Sequence, residues 1–343
     1  MTKNLMSPKF VSSSHQRRGL VRAVTAGLTG SVLALTLAAC NGDSNANQDA
    51  ESTPEGELQE VTVGAIAIAD VAPLHLAVQE GFFEEEGLDV EIIETTGGAV
   101  SLPGVVAGDY DFAFLNVASL MIARDQGLDV EFIANGTTTT GEPGADNIGI
   151  VVAEDSEVES TADLTQSTSN QLNNIGDIAT RLAVDNAGGD GADIEFLELA
   201  FGEAQAAVEN GNVEAALLAE PYLTQAQDAG LKVVSSPYAE AHPELDTGGY
   251  FTRSETVEES PELVVSFRNA INRALEFADE NPDEVREIVA TYTEIDEEIL
   301  QRIQLPRFKP EFTREGLEDL GRSAKEHGYL TEEPDLDALL PEQ

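Results

Sequence analysis

The residues able to do chemistry in this chain are few and scattered. His15, His75, His242 and His327 include no pair at metal-ligand spacing on a common helix, and no glycine-flanked serine marks a nucleophile. The pattern argues against catalysis, a metal centre or a cofactor and leaves non-covalent recognition. Asp70 and Glu220 offer carboxylates, and Gly97-Gly98 offers unhindered amides. Asn116, Ser119, Asn173 and Asn174 offer short polar side chains, and Phe201 and Tyr222 offer rings. Several have a second, structural use. Asp70 either caps the first helix or faces a ligand that donates. One of Asn173 and Asn174 caps a helix, leaving the other for ligand. Glu220 lines a cleft or sits in a solvated loop. Phe201 stacks on a ligand or packs between lobes, and His75 is a cleft contact or a packing residue.

These positions share one property: they fall where an expected strand gives way to an expected helix. Strands are expected over 61–68, 111–115, 148–153, 194–199, 213–218, 231–235 and 250–253. Helices are expected from Asp70-Val71-Ala72-Pro73, from Asn116, and over 176–186, 203–209 and 223–228. A unit repeats: Gly87-Leu88-Asp89-Val90-Glu91, Gly127-Leu128-Asp129-Val130-Glu131 and, more loosely, Gly230-Leu231-Lys232-Val233-Val234. In each a helix ends at glycine and an apolar strand follows, which is the grammar of parallel α/β architecture. Two such series precede a helical tail over 263–280, 282–292, 296–303 and 314–327. In open α/β sheets ligands bind beyond the carboxyl ends of strands, where helix N-termini present free N–H groups. The recognition residues fall at those ends.

The first 39 residues are read differently. Lys3, Lys9, Arg17, Arg18 and Arg22 form a basic leader without acids, and an apolar, small-residue stretch runs over 23–39. It is too short for a secure membrane span. Leu37-Ala38-Ala39-Cys40 resembles the bacterial lipobox, in which the cysteine becomes the lipidated N-terminus, and it holds the chain's one cysteine, so no disulfide is expected. Arg17-Arg18-Gly19-Leu20-Val21 resembles a twin-arginine signal, leaving the export route open between that and the general one. Residues 41–60 are polar and read as a tether, spanning about 25 Å as a flexible coil. The expected place is the outer face of the cell membrane, held by lipid.

The formal charge is −46, from 18 basic and 64 acidic residues, and the leader takes five of the basic ones. Such a surface repels nucleic acid and anionic lipid. The acids alternate with regular apolar residues, so the composition is that of a folded body.

Four stretches carry a family resemblance: VTVGAIAIADVAPLHLAVQEGFFEEEGLDVEII (61–93), GGAVSLPGVVAGDYDFAFLN (97–116), LNNIGDIATRLAVDNAGGD (172–190) and ENGNVEAALLAEPYL (209–223). In this order they resemble the substrate-binding proteins of ABC importers, in the nitrate/sulfonate/taurine and thiamine-pyrimidine-precursor group, over about 61–341. The resemblance implies a two-lobed, type II periplasmic-binding-protein fold. Each lobe is a mostly parallel sheet flanked by helices, with a helical C-terminal segment. Lobe I would take 61–137 and 249–343, lobe II 148–236, with crossings at 138–147 and 237–248. The implied function is capture of a small organic solute, sulfonate- or taurine-like or a polar heterocycle, by a monomer that delivers it to permease subunits served by a cytoplasmic ATPase. Two alternatives share the fold: a solute-sensing lipoprotein without transport, and a pyrimidine-precursor synthase-like enzyme. The enzyme carries a cysteine-rich motif that one leader cysteine does not supply. The sequence departs from the family at Thr165-Gln166-Ser167-Thr168-Ser169-Asn170-Gln171, where an apolar strand is expected and hydroxyls stand instead, leaving that strand open.

Overall fold

A computed structural model describes residues 58–341. The leader, Cys40 and all but the last residues of the expected tether lie outside the described residues. Ten strands form two sheet systems. They are β1 (Gln59–Ile66), β2 (Leu88–Thr95), β3 (Phe112–Asn116), β4 (Val130–Thr138), β5 (Ile148–Val152), β6 (Gln166–Ser169), β7 (Glu195–Glu198), β8 (Ala215–Ala219), β9 (Lys232–Ser235) and β10 (Asp246–Arg253). The first sheet has the order β2-β1-β3-β10-β4; the second system has β8-β5-β9, with the parallel pair β6-β7 lying beside β8. β1 begins at Gln59, inside the stretch read as tether.

The three glycine units fold as their spacing requires. Gly87, Gly127 and Gly230 close their turns at φ of 81, 87 and 96°, a region that a side chain disfavours. The sheets are less parallel than the sequence suggests. β1, β2 and β3 run parallel, but β10 is antiparallel to β3 and β4, and β5 is antiparallel to β8 and β9. Those two are the strands the chain enters on passing from one sheet system to the other. They arrive from the other sheet system and not through a crossover from a neighbour in their own sheet, so either direction is open to them.

A strand does form in the hydroxyl-rich stretch. β6 pairs residue by residue with β7, and Ser167, Thr168 and Ser169 are fully buried. Backbone pairing to β7 satisfies the ladder, and Ser169 Oγ finds Gln171 O at 2.9 Å. The passages between the sheets are also more ordered than their composition implies. Pro237–Ala241 is a short helix, and β10 starts at Asp246. Thr137, Thr138, Thr139 and Thr140 each donate a hydroxyl to a buried aspartate: Asp70, Asp246, Asp146 and Asp146 again.

The long helix Pro261–Glu280 covers the first sheet. Its buried Val264, Phe267, Ile271, Ala274, Leu275 and Ala278 recur at helical spacing. Phe267 stacks on Phe112 and Phe83, at 4.2 and 5.3 Å between centroids. The tail helix Arg314–Glu326 packs on both Val117–Asp125 and Ile175–Asn186. Just beyond it, Tyr329 OH accepts from Arg181 Nε at 2.9 Å and His327 Nε2 lies 2.8 Å from Asp185. Among the described residues no helix is long and apolar enough to cross a membrane.

Candidate ligand-binding cleft

The two sheet systems meet at a partly open pocket of about 70 Å³. That is room for a few waters or one small solute. Residues from both sides hold the cleft shut. Gln171 Oε1 accepts from Ala99 N at 2.9 Å, and Asn116 Oδ1 accepts from Ile175 N at 3.3 Å. Ala99 and Asn116 belong to the first lobe, Gln171 and Ile175 to the second.

Of the residues singled out by sequence, Asp70, Gly97, Gly98, Asn116, Asn174 and Phe201 line this space. The other four do not. Ser119 supports Asn116: its amide donates to Asn116 Oδ1 at 2.9 Å, and its hydroxyl accepts from Nδ2 at 3.0 Å. Asn173 is exposed, with φ of 57°. Tyr222 lies 5.9 Å from the Phe201 ring and backs it. Glu220 is fully buried and turned away. Its carboxylate accepts from Thr224 N at 3.0 Å, Thr224 Oγ1 at 2.7 Å and Gln304 N at 3.1 Å, and burial pushes its pKa up to about 7. It is thus neither a cleft residue nor a solvated acid. It covers the first turn of the helix Tyr222–Asp228.

Asp70 is not a helix cap. A tight turn over Ala69–Val71 delays the helix to Ala72, and Val71 takes the cap position with no side-chain bond. The carboxylate is instead held between the lobes' connecting chains. Oδ1 accepts from Thr137 Oγ1 at 3.3 Å and Oδ2 from Asn147 Nδ2 at 3.2 Å. Burial raises its pKa to about 6; the Thr137 bond opposes this and the Asp146 charge adds to it. His75 lies outside the lining. It stacks on Tyr292 at 3.9 Å, and burial lowers its pKa to about 4, leaving it neutral at physiological pH.

Asn174 does both jobs foreseen for the asparagine pair. Oδ1 caps the helix Ile175–Asn186 by accepting from Gly176 N at 2.8 Å, while the residue lines the cavity. Asn170, Tyr238 and Thr247 also line it and carried no signal in the sequence. Asn170 follows the anomalous hydroxyl strand, and the other two lie in a stretch read only as a passage between lobes.

A family model described as NMT1/THI5-like matches residues 68–285. The putative aliphatic sulfonates-binding protein of Bacillus subtilis (strain 168) is 25% identical over 253 residues, covering 72% of this chain and 74% of that protein. The formylaminopyrimidine-binding protein of Halalkalibacterium halodurans is 24% identical over 222 residues, covering 64% of this chain and 65% of that protein. Among solved structures, the periplasmic aliphatic sulphonate binding protein SsuA from Escherichia coli matches with a TM-score of 0.67 at 17% identity, over 84% of this chain and 93% of that one. That likeness establishes the two-lobed periplasmic-binding-protein fold.

Proposed function

The chain belongs to the NMT1/THI5-like family, and from that membership we propose that it is the substrate-binding component of an ABC importer. It captures one small polar organic solute between its lobes outside the cytoplasm and delivers it to permease subunits served by a cytoplasmic ATPase. The observation that carries this reading is the pocket between the two sheet systems, bridged by Gln171–Ala99 and Asn116–Ile175. A space closed by lobe-to-lobe hydrogen bonds has to open for a solute to enter or leave, which is the motion delivery needs. The names of the two relatives, a sulfonate binder and a pyrimidine binder, supply the first ligands to try. A synthase-like enzyme on this fold would carry a cysteine-rich motif, which one cysteine at position 40 does not supply.

The capture reading is tested with an alkanesulfonate, a formylaminopyrimidine and other small solutes on the purified body. A true ligand raises the melting temperature by mass action, about 2.7 kcal/mol at a hundredfold excess over Kd. It also lowers the radius of gyration in solution scattering. Stabilisation without compaction counts against capture by lobe closure.

The anchor is part of the same proposal. Cys40 after Leu37-Ala38-Ala39 carries the lipid, and the polar stretch after it keeps the body near its permease. Cys40→Ala moves the protein from the membrane fraction to the soluble one while circular dichroism of the body stays unchanged. Membrane retention of the variant would rule out a lipid at this site.

A further inference from the structure

The cleft belongs to a family with a sulfonate binder among its relatives, yet its chemistry is wrong for a bare anion. Among the described residues that line it there is no lysine, arginine or histidine; the one acid is Asp70. Helix N-termini are the usual substitute for a basic side chain. Here three of them are already occupied by the protein. Gln171 Oε1 takes Ala99 N at the start of Gly98–Ala107. Asn116 Oδ1 takes Ser119 N of Val117–Asp125 and Ile175 N of Ile175–Asn186. Asn174 Oδ1 takes Gly176 N and Asp177 N of that same helix. Phe201–Glu209 meets the cavity with no side-chain cap and can receive one acceptor of the solute. The rest of the lining is apolar, with Ile66, Ile68, Leu115, Ile148 and Phe201 among it. A molecule of charge −46 also repels anions and draws cations toward its openings.

Resting on the capture reading above, we infer that the captured solute is a small primary amine, carried as its ammonium ion, with Asp70 as the opposing charge. The ammonium donates to the Asp70 carboxylate, and a short alkyl or aryl body lies on the apolar wall. Because Asp70 is also bonded to Thr137 and Asn147, the same carboxylate couples the solute to the two ends of the first connection between the lobes. The ionisable groups facing Asp70 are Asp146, Tyr238, Tyr250 and Tyr292. Burial, with the Asp70 charge adding to it, pushes all three tyrosine hydroxyls up, so they stay neutral and supply no positive charge. Asp70 titrates near pH 6, so its ionised form, the one an ammonium needs, is complete above that and lost below.

The test compares two probes with the same chain, butylammonium and butane-1-sulfonate, by calorimetry on the purified protein at pH 7.5 and 5.0 and constant ionic strength. Butylammonium is expected to bind at pH 7.5 and to weaken about tenfold at pH 5.0 as Asp70 takes up its proton. Butane-1-sulfonate is expected to bind more weakly at pH 7.5. Asp70→Asn should lose at least about tenfold for butylammonium at pH 7.5 by removing the charge; the pH series on the natural protein decides the matter if that variant misfolds. Tighter binding of the sulfonate, or butylammonium affinity indifferent to pH, overturns the amine. Scattering on the same samples separates the two levels: compaction by the sulfonate alone keeps capture and sinks the amine, whereas compaction by neither probe sinks the amine and leaves capture to be decided by the pyrimidine and the other solutes above.

Discussion

Acidification from pH 8 to pH 5 should raise the melting temperature of the unliganded protein, the reverse of ordinary acid lability. Three buried carboxylates drive this. Burial lifts Asp70 and Asp177 from 3.8 to about 6, and Glu220 from 4.5 to about 7. Each is a weaker acid in the folded chain than in the unfolded one, so between those values the native state binds more protons. The stabilisation is complete below about pH 4 and is lost as pH climbs through 6 to 7. At two or so pH units each, the ceiling is about 3 kcal/mol per group. Relief of self-repulsion in a chain of net charge −46 acts in the same direction. Surface acids set the lower limit: Asp163 bonded to Ser160 and Asp228 bonded to Arg302 are held below their usual range and lose those partners in stronger acid. The stability maximum therefore falls near pH 4 to 5. Thermal melts from pH 4 to 8.5 at fixed ionic strength check this, with Glu220→Gln expected to flatten the limb between pH 5 and 7. A melting temperature that falls steadily on acidification would show that these carboxylates are ionised in the native state without cost.

The sequence makes the neighbourhood of the cleft legible but not the aim of its side chains. Strand ends followed by helix starts are visible as apolar runs ending near Asp70, Gly97, Asn116 and Phe201, and the structure brings these together with Asn174, which follows the hydroxyl-rich strand. The same logic picks Glu220, which also ends a strand. Its carboxylate turns to the first turn of its own helix and to Gln304, a contact across 84 residues that no local pattern encodes. Asp70 shows the opposite failure. Local rules make it a cap, but the turn over Ala69–Val71 starts the helix late and frees the carboxylate for Thr137 and Asn147. Sheet direction escapes for a similar reason, since β5 and β10 are oriented by where the chain arrives from, not by their own residues. Tyr238 and Thr247 are invisible because glycine- and proline-rich composition reads as loop, whereas tertiary contacts fold that passage into helix and strand.

Closure itself is exposed to a single substitution at Gly98. A Cβ built there falls 3.0 Å from Gln171 Oε1, across the cleft, and 2.5 Å from Leu115 Cδ1 on its own lobe. The Leu115 methyl sits at the end of a flexible side chain and can turn aside. Gln171 cannot retreat without giving up Ala99 N, one of the bonds that cross the cleft. Gly98→Val adds branched bulk at this point, and overpacking of this kind costs about 1–3 kcal/mol. The part of the penalty set by Gln171 exists only when the lobes meet, so it falls on the closed state and lowers the closed-to-open ratio about 5- to 150-fold, whereas the contact with the buried Leu115 lies within one lobe and lowers stability in both states. The expected result is a variant that melts somewhat below the natural protein without ligand and binds about 5- to 150-fold more weakly, with little compaction in scattering at ligand levels that close the parent. Gln171→Ala, which removes the bond without adding bulk, should give a smaller loss, on the order of tenfold. Had the lobes no need to close on the ligand, Gly98→Val would bind as the parent does, and the bridge between Gln171 and Ala99 would be a feature of the resting protein with no part in capture.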